Sequence, residues 1–180
     1  MFIILYIVCI LVLLLFLILF CIYGIALIIS ILGGAPYIPT NQNHIRDIFK
    51  YIHFKQTDIF LELGCGDGRV VRSIVKLFGV KGIGIDINPM LVSYADFLSK
   101  IEKLSIQFIR TNILTYSYKD ADIIYMFLLP NLMNKIESKI ENETKKGTII
   151  ISHRFKFDNW ENKLIHTLNR KTYSTFIYKM

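Results

Sequence analysis

From Phe2 to Leu32 the chain runs almost without interruption through Ile, Leu, Val and Phe, and no Lys, Arg, Asp or Glu precedes Arg46. About 20 such residues cross a bilayer core about 30 Å thick. As a helix the run is about 46 Å long, so it must tilt, bend or enter the interface. The rest of the chain is too small to cover a helix of that kind, which excludes a buried core helix. A cleaved signal peptide has a charged n-region and an apolar stretch of about 7–15 residues. Neither condition is met, so residues 1–32 are expected to be an uncleaved transmembrane anchor in the lipid bilayer. His44, Arg46, Lys50 and Lys55 follow soon after, and by the positive-inside rule they keep the C-terminal part in the cytoplasm.

All 21 basic and 14 acidic residues fall at or after Arg46, so the net charge of +7 belongs to the part beyond the anchor. Gly33, Gly34, Pro36 and Pro39 make residues 33–40 a linker, leaving residues 41–180 as one domain. A domain of this size buries roughly 68% of its unfolded surface and needs no disulfide or metal staple. Disorder and a cysteine-rich secreted scaffold are excluded. Three unpaired cysteines and four scattered histidines offer no metal site.

Within the domain, short apolar runs alternate with helical patterns. Strands are expected at Ile59–Leu63, Gly82–Ile87, Ser105–Arg110, Ala121–Leu128 and Gly147–Ser152. Helices are expected at Asn41–Tyr51 (with Thr40 as N-cap), Arg69–Phe78, Met90–Lys103 and Leu132–Thr144. This order gives an α/β fold with a mostly parallel, doubly wound sheet. The tail runs Leu164–Leu168 and Thr172–Tyr178 suit an antiparallel pair.

The densest chemical signal is the segment Glu62-Leu63-Gly64-Cys65-Gly66-Asp67-Gly68-Arg69, where a buried strand meets three alternating glycines and then a helix. Glycine lets such a loop turn sharply and lie against a ligand with no Cβ in the way. Dinucleotide loops want G-x-G-x-x-G, which requires glycine where Arg69 stands. The spacing G-x-G-x-G with Glu62 two residues ahead resembles instead the class I S-adenosylmethionine-dependent methyltransferases, and implies their Rossmann-like fold and S-adenosyl-L-methionine as cofactor. Asp86 ends the second strand 18 residues after Gly68, where a Rossmann-like fold offers a carboxylate to ribose hydroxyls; a solvated strand end or a cap for the helix from Pro89 is the other reading. The resemblance places an acidic residue, holding the adenine amino group, where Asn112 stands. An Asn carbonyl can still accept that hydrogen bond. Ile87 and Ile113 join the expected cofactor site with Glu62, Gly64, Cys65, Gly66, Asp67, Gly68, Asp86, Asn112 and Thr40.

A narrower resemblance rests on four segments: Ala35–Thr40, Glu62–Arg69, Tyr125–Pro130, and Ser152–Phe155 with Trp160. They look like the membrane-anchored protein-lysine methyltransferases that act on the c subunit of ATP synthase and on the adenine nucleotide translocase, a family with prokaryotic members. Asn112 and the short chain depart from that pattern. The resemblance implies protein-lysine methylation of a membrane protein, with Leu129 and Pro130 in the loop that positions the acceptor and no general base among the side chains. Core packing ended by a proline is the alternative for that loop. Tyr37, Pro39 and Thr40 either close over the cofactor or cap the first helix. His153 and Arg154 either bind substrate or pair with Asp158. A lipid or other small molecule, or RNA, remains an alternative acceptor. Nucleic acid is disfavoured, because basic residues are dispersed among acids and adjoin only at Lys145-Lys146 and Arg170-Lys171. The Ile, Lys, Asn and Tyr bias, with no Arg-rich transit segment, favours a prokaryotic inner membrane over the mitochondrial one.

Overall fold

The computed structural model describes residues 2–32, 42–170 and 173–180. Helix α1 spans Phe2–Leu32, and from Phe2 to Ile25 none of it is buried against the rest of the chain. It is long and apolar enough to cross a membrane. The linker and Thr40, Tyr37 and Pro39 lie outside the described residues, so α2 is described from Gln42 to Phe49. Ile45, Ile48 and Phe49 are its buried face.

Five parallel strands follow: β1 Ile59–Leu63, β2 Lys81–Asp86, β3 Ile106–Arg110, β4 Ile123–Met126 and β5 Ile149–His153. Between them run α3 (Arg69–Phe78), α4 (Pro89–Ile101) and α5 (Pro130–Glu143). β6 (Leu164–Leu168) and β7 (Thr175–Lys179) complete a seven-stranded sheet of order β3-β2-β1-β4-β5-β7-β6, in which β7 alone runs against its neighbours. The expected antiparallel tail pair is therefore present, and it is built onto β5. Strand order reverses between β1 and β4, which puts a crevice at the carboxyl ends of β1, β2 and β4.

Side-chain alternation sorts the two faces. Phe60, Ile123, Tyr125, Ile151 and Ile177 pack with α2 and α3, whereas Leu61, Leu63, Ile124, Met126, Ile150 and Tyr178 pack with α5 and Trp160. β2 carries glycine on the α3 side because nothing larger fits. A Cβ on Gly82 would lie 2.5 Å from Val75 Cγ2, and one on Gly84 2.8 Å from the Phe108 ring. Pro130 opens α5 at its first turn rather than ending an apolar run. A helix leaves its first N–H groups without intrahelical partners, so proline is tolerated there. The helix accordingly starts two residues earlier than the sequence pattern suggests, and β4 is shorter at both ends than the apolar run that contains it.

Candidate active site

The bend between β1 and α3 has three residues of left-handed backbone, Gly64, Gly66 and Gly68, with φ of 71°, 54° and 71°. Both Gly64 and Cys65 donate their N–H to the Ile85 carbonyl at 2.9 Å, stitching the bend to the end of β2. Gly68 is the tightest position: a Cβ there would sit 2.5 Å from the Phe108 ring and 3.1 Å from the Ala95 Cβ. A Cβ on Gly64 would meet Leu128 at 3.1 Å.

Gly68 has no side chain to cap α3, and carboxylates from outside the helix do so instead. Glu62 projects from β1 on the α3 face, and its Oε2 accepts the Val71 N–H at 2.9 Å. Asp67 Oδ1 accepts the Arg69 N–H at 3.1 Å, and its carboxylate also receives the Arg69 guanidinium. Acids at the amino end of a helix are favoured by its dipole. Burial drives the Glu62 carboxyl well above its usual 4.5, with the Val71 N–H pulling it part of the way back. Glu62 and Asp67 thus hold the bend to α3. Cys65 is buried among the same groups, and burial raises its thiol.

Asp86 closes the arrangement. Its Oδ2 accepts the Gly66 N–H at 2.9 Å and its Oδ1 the Asn88 N–H at 2.8 Å. A carboxylate has about four lone-pair sites, so these two bonds leave acceptor capacity on both oxygens. Burial lifts the Asp86 carboxyl above 3.8, partly offset by the amides pointing at it. The cap of α4 is Asn88, whose Oδ1 accepts the Met90 and Leu91 N–H groups. Sequence reasoning missed Asn88, although Asn followed by Pro89 at the first helical position is a visible start signal. Asp86 is therefore released from the capping role considered for it.

Beyond β3, Asn112 Oδ1 accepts the Leu114 N–H at 2.9 Å in a tight turn. Ile113 is buried in the α5-side core, while Leu114 beside it is partly exposed. Two adjacent apolar residues thus stand at the end of β3, Ile113 toward the core and Leu114 toward the surface. Ile87 and Leu129 are exposed at the ends of β2 and β4. The structure brings the bend, Asp86, Ile87, Asn112, Leu114, Leu129 and Pro130 to one end of the sheet. His153 is buried at the end of β5, its Nδ1 2.8 Å from Thr175 Oγ1 and its ring against Phe127 and Tyr173. Arg154 lies over the rings of Tyr173 and Phe155 rather than against Asp158. A separate cleft, lined by Ile59, Gln107, Tyr116, Asp120 and Lys145, opens at the opposite end of the sheet.

Charge decides what this crevice accepts. Glu62, Asp67 and Asp86 surround the bend, and each raises the proton affinity of its neighbours. A pyrophosphate at the bend would meet the Asp86 carboxylate, with Arg69 already engaged by Asp67. The remaining acceptor positions of Asp86 suit a ligand that brings hydroxyl donors, as a ribose does.

Known proteins agree. Residues 62–164 match the family described as ANTKMT methyltransferase domain. A protein-lysine N-methyltransferase of Saccharolobus islandicus is 33% identical over 139 residues, 74% of this chain and 85% of that protein. The human lysine N-methyltransferase of the ATP synthase c subunit is 26% identical over 127 residues, and the match spans 69% of this chain and 54% of the human one. The fold is shared with an RNA methyltransferase of Salinibacter ruber solved with S-adenosyl-L-homocysteine, at a TM-score of 0.75 and 24% identity over 79% of this chain and 93% of that one. With the family match covering more than half of its length, the chain belongs to the ANTKMT methyltransferase domain family.

Proposed function

We propose that this S-adenosylmethionine-dependent methyltransferase transfers methyl groups to a lysine amine of a membrane-associated protein. In this reading residues 1–32 anchor the chain in a prokaryotic inner membrane, residues 33–40 are the linker, and residues 41–180 form the cytoplasmic catalytic domain. The observation that carries it is the acidic, glycine-walled crevice at the switch point of the sheet, with an apolar loop at its β4 side. The relatives named for protein-lysine methylation support the acceptor class.

Gly64, Gly66 and Gly68, with Cys65 between them, form the wall against which the cofactor lies, and Glu62 and Asp67 hold that wall to α3. Asp86 takes the ribose hydroxyls. Ile87 and Leu114 flank the base, with Asn112 at its edge and Ile113 behind. S-adenosylmethionine, when bound, supplies a methyl carbon activated by its sulfonium.

The protein's further task is to present a neutral amine in line with that carbon. A free lysine near 10.4 is about three units from deprotonation at neutral pH, or roughly 4 kcal/mol. Desolvation lowers a lysine pKa, and Leu129 and Pro130 with half-buried Phe127 supply an apolar rim for it, Leu128 being buried behind them. Among the described residues no side chain is placed as general base; in this reading backbone carbonyls at the end of β4 hold the amine and water takes the proton. Holding donor and acceptor in line contributes the rest. The test is to incubate the full chain in membranes with methyl-labelled cofactor. Label on protein supports the reading; label confined to lipid or to RNA overturns the acceptor assignment.

A further inference from the structure

Helix α4 buries Val92, Ala95 and Ser99 against the sheet and turns the opposite face outward. That outer face is apolar. Met90, Tyr94, Phe97 and Ile101 are 46, 52, 58 and 61% exposed, and their spacing of four, three and four residues makes one continuous stripe. The solvent face of a globular helix ordinarily carries charge there. On the neighbouring α3, Leu77 is also exposed, next to Lys76. The two helices adjoin through Gly68 against Ala95 and through the Arg72–Glu102 ion pair. Charged groups at the stripe are Lys100, paired with Asp96 at 2.6 Å, and just past the helix end Glu102, paired with Arg72, and the exposed Lys103.

We infer that the Met90–Tyr94–Phe97–Ile101 stripe of α4 docks the catalytic domain onto the surface of the bilayer, with Lys76, Lys100 and Lys103 beside anionic headgroups. The inference rests on the reading of α1 as a membrane anchor. The nine residues 33–41 reach at most about 35 Å, so the domain cannot leave the neighbourhood of the membrane. They lead into α2, which packs with α3 in the same layer as α4. The tether therefore delivers the layer that bears the stripe. An amphipathic helix lying in the interface buries its apolar side chains shallowly, and nearby basic residues favour anionic lipid. A protein partner fits less well: a stable interface buries about 1,200–2,000 Å², and four side chains on one convex helix offer far less. The stripe begins at Met90, four residues after Asp86, so docking through it sets the rim of the crevice at headgroup depth, where a membrane protein presents its lysines.

The experiment uses Trp as a contact reporter in the full chain, because the single native tryptophan, Trp160, is fully buried and gives a constant background. Phe97→Trp and, on the opposite layer, Ser138→Trp both alter exposed positions. Each variant is reconstituted in vesicles of phosphatidylcholine and phosphatidylglycerol, with and without brominated acyl chains that quench indole on contact. Retention after carbonate washing is measured in parallel. The expected result is that Phe97→Trp emission falls by about half in brominated vesicles while Ser138→Trp is unchanged. A chain that resists washing but shows equal emission from both variants overturns the docking and leaves the anchor standing. A chain released by carbonate removes the anchor and the docking together. A blue shift of Phe97→Trp that appears only in native, protein-containing membranes overturns the bilayer as occupant in favour of a protein.

Discussion

Oδ2 of Asp86 accepts the Gly66 N–H at 2.9 Å, so the end of β2 and the glycine bend after β1 are held as one unit. In the proposed reading the same carboxylate receives the ribose hydroxyls. Binding and loop geometry are thereby coupled through one carboxylate, and Asp86→Ala removes both. Two hydrogen bonds to a charged group contribute about 1.5–3 kcal/mol each. Calorimetry on the detergent-solubilised chain is expected to show cofactor affinity reduced at least about 100-fold. Unchanged affinity would remove Asp86 from the site.

The raised Asp86 carboxyl makes binding and stability respond to pH in opposite senses. In the proposed reading the ionised form receives the hydroxyls, so affinity is expected to fall on acidification with a midpoint above the ordinary 3.8. For folding the sign reverses. A carboxyl with a folded pKa above its unfolded one favours the native state when protonated, and that contribution is lost as pH rises through the folded value. Glu62 acts in the same direction. In Glu62→Gln the amide oxygen still accepts the Val71 N–H, so the variant is expected to fold and to lose part of the decline in stability toward neutral pH. Denaturant titrations at several pH values check this; an identical slope in both proteins would contradict it.

Gly84→Ala puts a methyl group 2.8 Å from the Phe108 ring and 3.0 Å from Cys65 Sγ. Overpacking of this kind costs about 1–3 kcal/mol. Adding Phe108→Leu is expected to restore part of the loss. Gly68→Ala should cost more and resist that rescue, because its φ of 71° strains any side chain as well. Urea unfolding of the four variants separates steric from backbone strain; equal rescue in both backgrounds would contradict it.

Leu129→Asp tests the apolar rim at β4. The position is partly exposed, so the fold tolerates it. A carboxylate there favours the protonated acceptor amine, and each unit of raised lysine pKa lowers the reactive fraction about tenfold at neutral pH. Methyl transfer is expected to slow while cofactor affinity holds. Loss of affinity with transfer would move Leu129 into the cofactor site instead.

The elements of the sheet were legible because each buried strand is a short β-branched run between turn residues, and because the glycine spacing marks where β1 ends. The tether from Asp86 back to Gly66 was not legible, since it joins positions 20 residues apart through a fold. Nor were the roles of Glu62 and Asp67. A sequence shows two acids beside glycines, but only the alternation of β1, which turns Glu62 toward α3, shows that it caps a helix. Nor was it legible that Ile113 faces the core and Leu114 the surface, because which of two adjacent apolar residues is buried depends on the turn that Asn112 sets.

Mass spectrometry of membrane proteins from cells that contain the chain and cells that lack it measures the proposed activity most directly. The expected outcome is at least one lysine that carries methyl groups only when the chain is present, and that becomes labelled when membranes lacking it receive the chain and methyl-labelled S-adenosylmethionine. Identical lysine methylation in both membranes, with label entering only the lipid extract or no fraction at all, would contradict it.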